Sequence, residues 1–285
     1  MKISIITPTG GRPIGFALCE KWMKRQTLQP DEWIVVDDYK KPTKCTMGQK
    51  VIRRQPFWQY GQMTLQRNLL GALRIVTGDI ILIIEDDDWY SPNYIENMVK
   101  KFEALSEGKP ISQSSLIIGE GHTIYYHVKN LTHKCYDNME HASLFQTGFT
   151  KDLIPKINDL LIKNIDQMYF DVRLWKDIKD CNKCIFLTKS RWSVGIKGLT
   201  GERFVGTFGH LQGLPLLDEK YCNLLQKIMP KEEVDIYMNI SEDLNIKEFD
   251  RVDKILQSKI VELDEKLDEN LRNLDFNKCK VSCNL

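Results

Sequence analysis

The sequence predicts an α/β fold in which a mostly parallel central sheet is flanked by helices and followed by a C-terminal helical appendage. In the first half, short runs rich in isoleucine and valine alternate with stretches of helical periodicity, the pattern of strands joined by crossover helices. The run 80–84 is wholly apolar, as expected for a strand buried on both faces. Beyond about Lys231, leucine and isoleucine recur at three- and four-residue steps among charged residues, which indicates a long amphipathic helix.

Local signals set the elements of the first half. The first apolar run ends at Thr7–Gly11, where proline and glycine predict a turn. Ser91 and Pro92 supply an N-cap and a first-turn proline for a helix that continues to about Leu105. The remaining elements of this half are strands at 3–6, 33–36 and 80–84 and helices at about 16–23 and 65–76.

The second half continues the alternation less regularly. It contains predicted strands at 111–118, 123–128 and 185–187, helices at 151–165 and 166–178, a glycine-rich loop at 195–213 and a helix at 256–274. We therefore predict a main domain over 1–228, with halves 1–105 and 106–228, and a helical extension over 229–285. The extension packs on the domain or, as the alternative, mediates homo-oligomer formation.

Composition gives no global attraction to nucleic acid or anionic membranes, because 40 basic residues balance 39 acidic ones. The N-terminal apolar stretch is too short for a signal-peptide core, and no run approaches the ~18 apolar residues that span a bilayer. We expect a soluble, cytoplasmic protein whose eight cysteines are reduced thiols. A zinc site formed by Cys181, Cys184, Cys279 and Cys283 is the weaker alternative, because the two pairs are far apart and differently spaced.

Four consecutive acids, Glu85, Asp86, Asp87 and Asp88, follow the apolar run 80–84 directly. Adjacent carboxylates repel one another unless a cation or water offsets their charge. In an open α/β sheet, ligands bind beyond the carboxyl ends of the strands, where this run lies. Mg²⁺ or Mn²⁺ held by one or two carboxylates and by ligand phosphates fits this position, whereas a solvated acidic turn is the alternative.

A second acidic pair, Asp37 and Asp38, ends the strand at 33–36. Acids at such strand ends commonly accept hydrogen bonds from ribose or base donors. Two strands that end in acids at the same edge predict one acidic crevice beside Thr7, Pro8 and Thr9.

Four segments together resemble the family 2 glycosyltransferases of the GT-A fold: ISIITPTGGRP, IVVDD, QRNLLGAL and GDIILIIEDDDWYSPNY. The resemblance implies a nucleotide-sugar donor, with UDP-glucose as the family-level guess, and inversion at the anomeric carbon. It makes 1–105 the donor-binding half and 106–228 the acceptor and catalytic half. The implied donor-binding residues are Thr7, Pro8, Thr9, Arg12, Asp37, Asp38, Asp86 and Arg67, the last beside Asn68.

The same resemblance makes Glu85-Asp86-Asp87 the D-x-D element of the family. Asp87 is then the favoured metal ligand, with Asp88 beside it. The first acid departs from the family pattern, because it is glutamate rather than aspartate, and this leaves the register within the four acids open by one residue.

An inverting transfer needs a carboxylate that accepts the proton of the attacking hydroxyl. The family supplies it from an E-D pair before an arginine, and the comparable stretch here offers Asp166 and Asp171. Asp171 is favoured because Phe170 and Trp175 would bury it and raise its pKa. A surface ion pair with Arg173 or Lys176 is the alternative for Asp171.

The glycine-rich loop adds candidate residues for the leaving diphosphate and the metal. Lys197 and Arg203 would offset the negative charge that develops on the leaving nucleotide. His210 would complete the coordination of the metal, in a loop that resembles the mobile G-H loop of some GT-A enzymes. A solvated histidine is the alternative.

These observations predict a metal-dependent glycosyltransferase whose acceptor is a saccharide, a glycolipid or a modified nucleobase. A phage-type enzyme that acts on a modified DNA base, or a non-catalytic nucleotide- or carbohydrate-binding module, is the alternative. A sugar-nucleotide pyrophosphorylase would need a different glycine-rich loop after the first strand, and Pro13 is misplaced for it.

Overall fold

A seven-stranded mixed sheet forms the centre of the molecule. The computed structural model describes residues 1–55, 64–199, 209–210, 213–218 and 223–243. Numbered along the chain, the strands of this sheet are β1 (Ile3–Thr9), β2 (Glu32–Asp37), β3 (Lys50–Arg53), β4 (Ile80–Ile83), β6 (Leu116–Glu120), β9 (Thr147–Thr150) and β10 (Asn182–Phe186). Their spatial order is β10-β6-β9-β4-β1-β2-β3.

This sheet confirms the predicted α/β class and adds one feature. Every neighbouring pair is parallel except the two formed by β9, which runs antiparallel to both β4 and β6. The sheet is therefore mixed rather than purely parallel. The short polar run of β9 has no apolar signature from which a strand could be predicted.

A second sheet lies beside the carboxyl end of β4. It comprises β5 (Trp89–Tyr90), β7 (His122–His127), β8 (Thr132–Asp137), β11 (Ser193–Lys197) and β12 (Leu216–Leu217), in the order β12-β8-β7-β11-β5. Part of the predicted glycine-rich loop is thus the strand β11. Because β5 directly follows the acidic run and pairs with β11, this sheet brings the two segments together.

Helices cover both faces of the central sheet. They are α1 (Pro13–Lys24), α2 (Thr64–Leu73), α3 (Tyr94–Leu105), α4 (Ile154–Lys163) and α5 (Phe170–Asp177). Two further helices, α6 (Asn223–Gln226) and α7 (Lys231–Asp243), follow later in the described chain. Residues of α2, α4 and α5 share one apolar core with Ile81 and Ile83 of β4. On the other face, Phe16 of α1 packs against Trp33 of β2, with ring centroids 6.1 Å apart. Burial on both faces explains why these strands consist of apolar runs.

Several predicted boundaries were wrong by a few residues. The helix predicted from Ser91 begins at Tyr94, with Asn93 as its N-cap residue, and the helix predicted from Asp166 begins at Phe170. The strand predicted over 111–118 starts at Leu116, after a 3₁₀ turn at Ile111–Gln113.

Strand β1 continues through the predicted turn at Pro8. The backbone of Ile6 faces β4, because its oxygen accepts the N–H of Ile84, and by alternation Pro8 faces the same side. The pairing of β1 with β4 stops at Ile6 and Ile83, so an N–H at Pro8 would have no ladder partner.

The residues 1–238 form one compact unit, which includes the first part of α7. Val234 and Tyr237 of α7 are buried in it. The helix predicted over 256–274, with Cys222, Cys279 and Cys283, lies outside the described residues. The other five cysteines are free thiols. Across the described ranges, no helix has the length and apolar character needed to span a bilayer.

Two glycines give opposite predictions for stability. A Cβ at Gly78 would lie 2.3 Å from Oγ and 2.7 Å from the backbone N of Ser4, so alanine there must displace β1. We expect Gly78→Ala to lower the free energy of unfolding by about 1–3 kcal/mol. A Cβ at Gly71 in α2 meets only ordinary contacts of 3.6 Å or more, so Gly71→Ala should raise it by about 0.5–1 kcal/mol. Urea unfolding measures both, and a loss of stability in Gly71→Ala would contradict the described packing of α2.

Candidate functional site

The four acids lie where the apolar strand β4 ends. Glu85, Asp87 and Asp88 each offer a carboxylate oxygen within 4.8 Å of the other two. Asp87 and Asp88 are buried and Glu85 is half-buried. The sequence predicted Asp87 and Asp88 as metal ligands, and the structure groups Glu85, the first acid of the predicted D-x-D element, with them.

Cationic and polar side chains from three other segments surround the acids. Arg12, just before α1, places Nη1 2.7 Å from Oδ1 of Asp86 and 3.3 Å from Oδ2 of Asp87. The hydroxyl of Thr9 at the end of β1 donates to Oδ2 of Asp86 at 2.5 Å. Lys197 at the end of β11 lies 3.8 Å from Asp88. Thr9 and Arg12 thus hold Asp86, and the other three acids, whose oxygens lie within 4.8 Å of one another, form the candidate metal-ligating group.

His210 also contacts the cluster. Its Nε2 lies 3.3 Å from Oδ2 of Asp87, and its Nδ1 accepts a hydrogen bond from the N–H of Gly198 at 3.3 Å. Burial, with the nearby charge of Lys197, lowers the pKa of His210 to about 4, so the ring is neutral at pH 7. With Nδ1 as an acceptor, the proton of the neutral ring lies on Nε2 and points to Asp87. In this arrangement His210 orients Asp87, and direct ligation of a metal stays a prediction.

The acids respond differently to this environment. Burial and the charge of Asp87 raise the pKa of Glu85 to about 7, and burial raises the pKa of Asp86 to about 6. Burial also raises the pKa of Asp88 well above its ordinary value. Burial opposes ionisation of Asp87 too, but Arg12, His210 and Lys197 outweigh it and lower its pKa. Asp87 is therefore the anion of the group, whereas the charged forms of Glu85, Asp86 and Asp88 are disfavoured without a further cation.

The residues present fit a divalent metal ion. Oδ2 of Asp88 is buried and has no hydrogen-bond partner among the described residues. Full ionisation of the four carboxylates would set four negative charges against two permanent cations, Arg12 and Lys197, and the excess of two negative charges would need a further cation. A hard ion with oxygen ligands, Mg²⁺ or Mn²⁺, would supply that charge and a partner for the orphaned oxygen. Glu85, Asp87 and Asp88 would hold it.

The second acidic pair lies beside the cluster, across β1. The register of β1 and β2 places Asp37 next to Thr9, whose hydroxyl binds Asp86 on the other side. Asp37 itself is engaged: it pairs with Arg53 and accepts the backbone N–H groups of Tyr39 and Thr43 at 3.0 and 2.7 Å. It thus fixes the loop after β2, and Asp38 is the next acid along the chain. The predicted crevice therefore spans the ends of β2, β1 and β4, in that order.

The first threonine of the predicted nucleoside pocket has a structural partner. The Thr7 hydroxyl accepts the indole N–H of Trp33 at 2.9 Å, and Thr7 is fully buried. Thr9 is therefore the residue of this segment whose side chain reaches the acids, while Pro8 lies between them in β1.

Two residues predicted for separate roles contact each other instead. Arg67 of α2 binds both carboxylate oxygens of Asp166, at 2.6 and 3.1 Å. Arg67 was predicted on the donor side and Asp166 as an alternative base, and the ion pair joins α2 to the segment before α5. The adjacent Asn68 accepts a hydrogen bond from Arg54 at 2.7 Å, a contact that the sequence did not indicate.

Asp171 lies at the first turn of α5 and lines a cavity of about 510 Å³. Burial raises its pKa above the ordinary value, against the effect of a hydrogen bond from the backbone of Val172. Arg173, the ion-pair alternative, donates to Gln167 at 3.1 Å instead. The cavity is lined by Glu85, Asp171, Lys197, Lys134, His141 and Ser143, by the aromatic rings of Tyr125, Tyr136, Phe145, Tyr169 and Phe170, and by Leu65, Leu144, Val172, Gly209, Gly213, Leu214 and Pro215.

The structure thus brings together most of the predicted site residues and adds others. Glu85, Asp171 and Lys197 come from three distant segments and share the walls of one cavity. Arg203 lies outside the described residues. The aromatic lining from β7 and β8 was not predicted, because 123–128 was predicted only as a strand and β8 was not predicted at all. Tyr169, with its left-handed backbone, carries no sequence signal.

Comparison with known proteins places the chain in a family. The profile of Glycosyl transferase family 2 matches residues 4–149, just over half of the chain. A curated relative, the uncharacterized glycosyltransferase YwdF of Bacillus subtilis (strain 168), is 34% identical over 108 residues. That match covers 36% of this chain and 39% of the relative, so the chain spans about two fifths of the relative's length.

Similar solved structures come from TarS of S. aureus. One TarS structure has a TM-score of 0.48 at 12% identity and covers 69% of this chain and 37% of that one. The TarS 1–349 structure in complex with UDP-GlcNAc has a TM-score of 0.46 at 13% identity and covers 69% and 59% of the two chains. The profile match, which includes both acidic strand ends, decides the assignment: the chain belongs to glycosyl transferase family 2.

Proposed function

We propose that the protein is a metal-dependent glycosyltransferase that moves a sugar from a nucleoside-diphosphate sugar to a hydroxyl group of an acceptor. One observation carries the proposal: a half-buried carboxylate of raised pKa, Asp171, shares a cavity with Glu85 of the candidate metal-ligating group and with Lys197. A transferase needs these parts together, because the acceptor proton and the leaving diphosphate are handled on opposite sides of one anomeric carbon.

The acidic cluster would hold the diphosphate end of the donor. Bound at Glu85, Asp87 and Asp88, Mg²⁺ or Mn²⁺ would neutralise phosphate oxygens and stabilise the leaving group. Lys197 would add positive charge on the cavity side, while Arg12 fixes the orientation of Asp86 and Asp87. The nucleoside would lie along the crevice formed by Asp38, Pro8 and Thr9.

Asp171 is the better candidate for the base. Asp166 is held by both Nη nitrogens of Arg67, and it is not among the residues that line the cavity. Asp171 faces the cavity, and burial disfavours its charged form. We propose that Asp171 accepts the proton as the acceptor oxygen bonds to the anomeric carbon and the bond to the diphosphate oxygen breaks. Displacement in one step inverts the configuration at that carbon.

The cavity supports a saccharide or glycolipid acceptor. Its volume of about 510 Å³ is in the range of small-molecule sites. Its aromatic rings offer flat apolar surfaces for a sugar ring, and Lys134, His141 and Ser143 offer hydrogen-bonding groups. A modified nucleobase would use the same rings for stacking, so a DNA acceptor remains an outcome of the test below.

A release assay tests the proposal directly. The purified protein is incubated with a panel of nucleotide sugars, including UDP-glucose and UDP-GlcNAc, in Mn²⁺ or EDTA, and the free nucleoside diphosphate is measured. We expect metal-dependent release from one donor, accelerated by a sugar or glycolipid acceptor. Release that persists unchanged in EDTA would contradict the metal assignment.

The same assay separates the competing functions. Metal-linked binding of a nucleotide without any turnover would identify a non-catalytic binding module. Acceleration only by DNA that carries hydroxymethylated bases would identify a DNA-modifying enzyme. Asp159→Asn, which alters an exposed carboxylate on α4 far from the acidic cluster in sequence, serves as the control variant with wild-type activity.

A further inference from the structure

The residue that follows the acidic cluster is tied to helix α7. The indole N–H of Trp89 donates to Oε2 of Glu233 at 2.6 Å, and both side chains are buried. The two residues are 144 positions apart in sequence. A buried glutamate is costly unless it is paired and hydrogen-bonded, so this contact needs a compensating cation.

Arg25, directly after α1, supplies that cation. Its Nη2 donates to Oε2 of Glu233 at 2.8 Å and to the backbone oxygen of Tyr90 at 2.7 Å, and its Nε lies 2.7 Å from Oε1. The guanidinium also stacks on Trp22 and Trp89, at 4.8 and 5.7 Å from the ring centroids. Glu233 and Arg25 together therefore clamp both residues of β5.

Strand β5 transmits this contact to the proposed donor site. It pairs with β11 through Trp89 and Val194 and through Tyr90 and Ser193. Further along β11, the N–H of Ile196 donates to Oδ1 of Asp88 at 2.9 Å, and Lys197 follows. A shift of β5 would therefore move Asp88 directly along the chain and Lys197 through the strand pair.

Helix α1 forms a second connection between the acidic cluster and Glu233. Arg12, immediately before this helix, binds Asp86 and Asp87, and Arg25, immediately after it, binds Glu233. At Gly15 the helix touches the acidic segment closely, because an added Cβ would lie 3.1 Å from the backbone oxygen of Asp86. One carboxylate on α7 thus supports the acids from both α1 and β5.

We propose that Glu233 is a positioning residue for the proposed metal and donor site: it holds Asp88 and Lys197 in place through Trp89, Arg25 and β11. The inference rests on the proposed function. It makes α7, the first helix of the predicted C-terminal extension, a required part of the site rather than an appendage to it. Removal of a residue that orients metal ligands in this way typically lowers metal affinity by about 10–100-fold.

The test compares Glu233→Ala and Glu233→Gln with a matched control on the same helix. Tyr237→Phe removes the hydrogen bond that Tyr237 accepts from the Trp22 indole at 3.2 Å, and it keeps the carboxylate of Glu233 that binds Trp89 and Arg25. Calorimetry with Mn²⁺ and UDP measures binding in each full-length variant. Hydrogen exchange of the amides at 193–197, without metal, measures the order of β11.

We expect Glu233→Ala to weaken binding of Mn²⁺ with UDP by at least about 10-fold and to speed exchange at 193–197. Tyr237→Phe should match the wild type in both, even if its melting temperature falls. Glu233→Gln, which places an amide N–H₂ against the donors of Arg25, should act in the same direction and decides the question if Glu233→Ala does not fold.

Two results would overturn the inference, and they differ. Wild-type binding and exchange in a folded Glu233 variant would make Glu233 a purely structural residue, with the proposed function intact. Absence of metal-linked UDP binding in the wild type would remove the proposed function and the inference together.

Discussion

Replacing Asp171 with asparagine is expected to lower sugar transfer by about 10²–10⁴-fold, the usual contribution of a general base. Asparagine keeps the size of the side chain but cannot take the acceptor proton. Because Asp171 lies on the cavity side and the donor is proposed to bind at the acidic cluster, the Kd for Mn²⁺ and UDP should not change. Steady-state kinetics with calorimetry separates the two effects.

The pH dependence of kcat/KM tests the role of Asp171 in a second way. Burial raises the pKa of Asp171, and a base works only when ionised, so kcat/KM should rise with pH through a pKa above that of an ordinary aspartate. This rise of kcat/KM with pH, the acidic limb of the profile, should be absent from the residual activity of Asp171→Asn. Asp166→Asn is the matched control, because it breaks the ion pair with Arg67 but should keep the limb. Loss of the limb in Asp166→Asn alone would transfer the base role to Asp166.

The predicted parts of the fold are those with a local physical signal. Strands β1, β2 and β4 are buried on both faces, so their apolar runs identify them. Strands β8 and β9 escaped prediction because one is largely exposed and the other has only four residues, with a Thr-Gly start. The antiparallel insertion of β9 depends on pairing partners far away in sequence, which no local pattern encodes.

The candidate site also has parts that could be predicted from the sequence and parts that could not. The acidic cluster follows a recognisable strand and could therefore be located from the sequence, and the raised pKa expected for Asp171 agrees in direction with the effect of burial in the structure. The contacts that give these groups their properties join distant segments. Arg12 and Asp86 are 74 residues apart, Arg67 and Asp166 are 99, and Trp89 and Glu233 are 144. Such pairs become visible only when the fold brings their segments together.

Asp87→Asn and Asp88→Asn are expected to abolish metal binding alike, yet to change stability in opposite directions. Each removes a proposed ligand, so Mn²⁺-linked UDP binding should fall by more than the roughly 10–100-fold that follows the loss of a residue that only orients a ligand. Without metal, Asp87→Asn should be less stable than the wild type, because Arg12, His210 and Lys197 lower the pKa of Asp87 and thus favour its charge. Thermal unfolding in EDTA measures this loss.

Asp88→Asn should behave in the opposite way without metal. Burial raises the pKa of Asp88, so the folded state binds its proton more tightly than the unfolded state does. The stability of the wild type therefore falls as pH rises from the unfolded value of about 4 towards the folded pKa. Asparagine does not titrate, and it keeps an acceptor for the N–H of Ile196, so Asp88→Asn should gain stability over the wild type across that range.

Added Mn²⁺ should make the wild type more stable than Asp88→Asn. It should raise the melting temperature of the wild type and leave both variants unchanged, because binding to the folded state alone stabilises it. Asp159→Asn controls for the loss of a carboxylate as such and should respond to Mn²⁺ like the wild type. If Asp88→Asn instead lost stability in EDTA at every pH, the buried acid would have a structural role. The charge deficit would then give no support to a metal ion at this strand end.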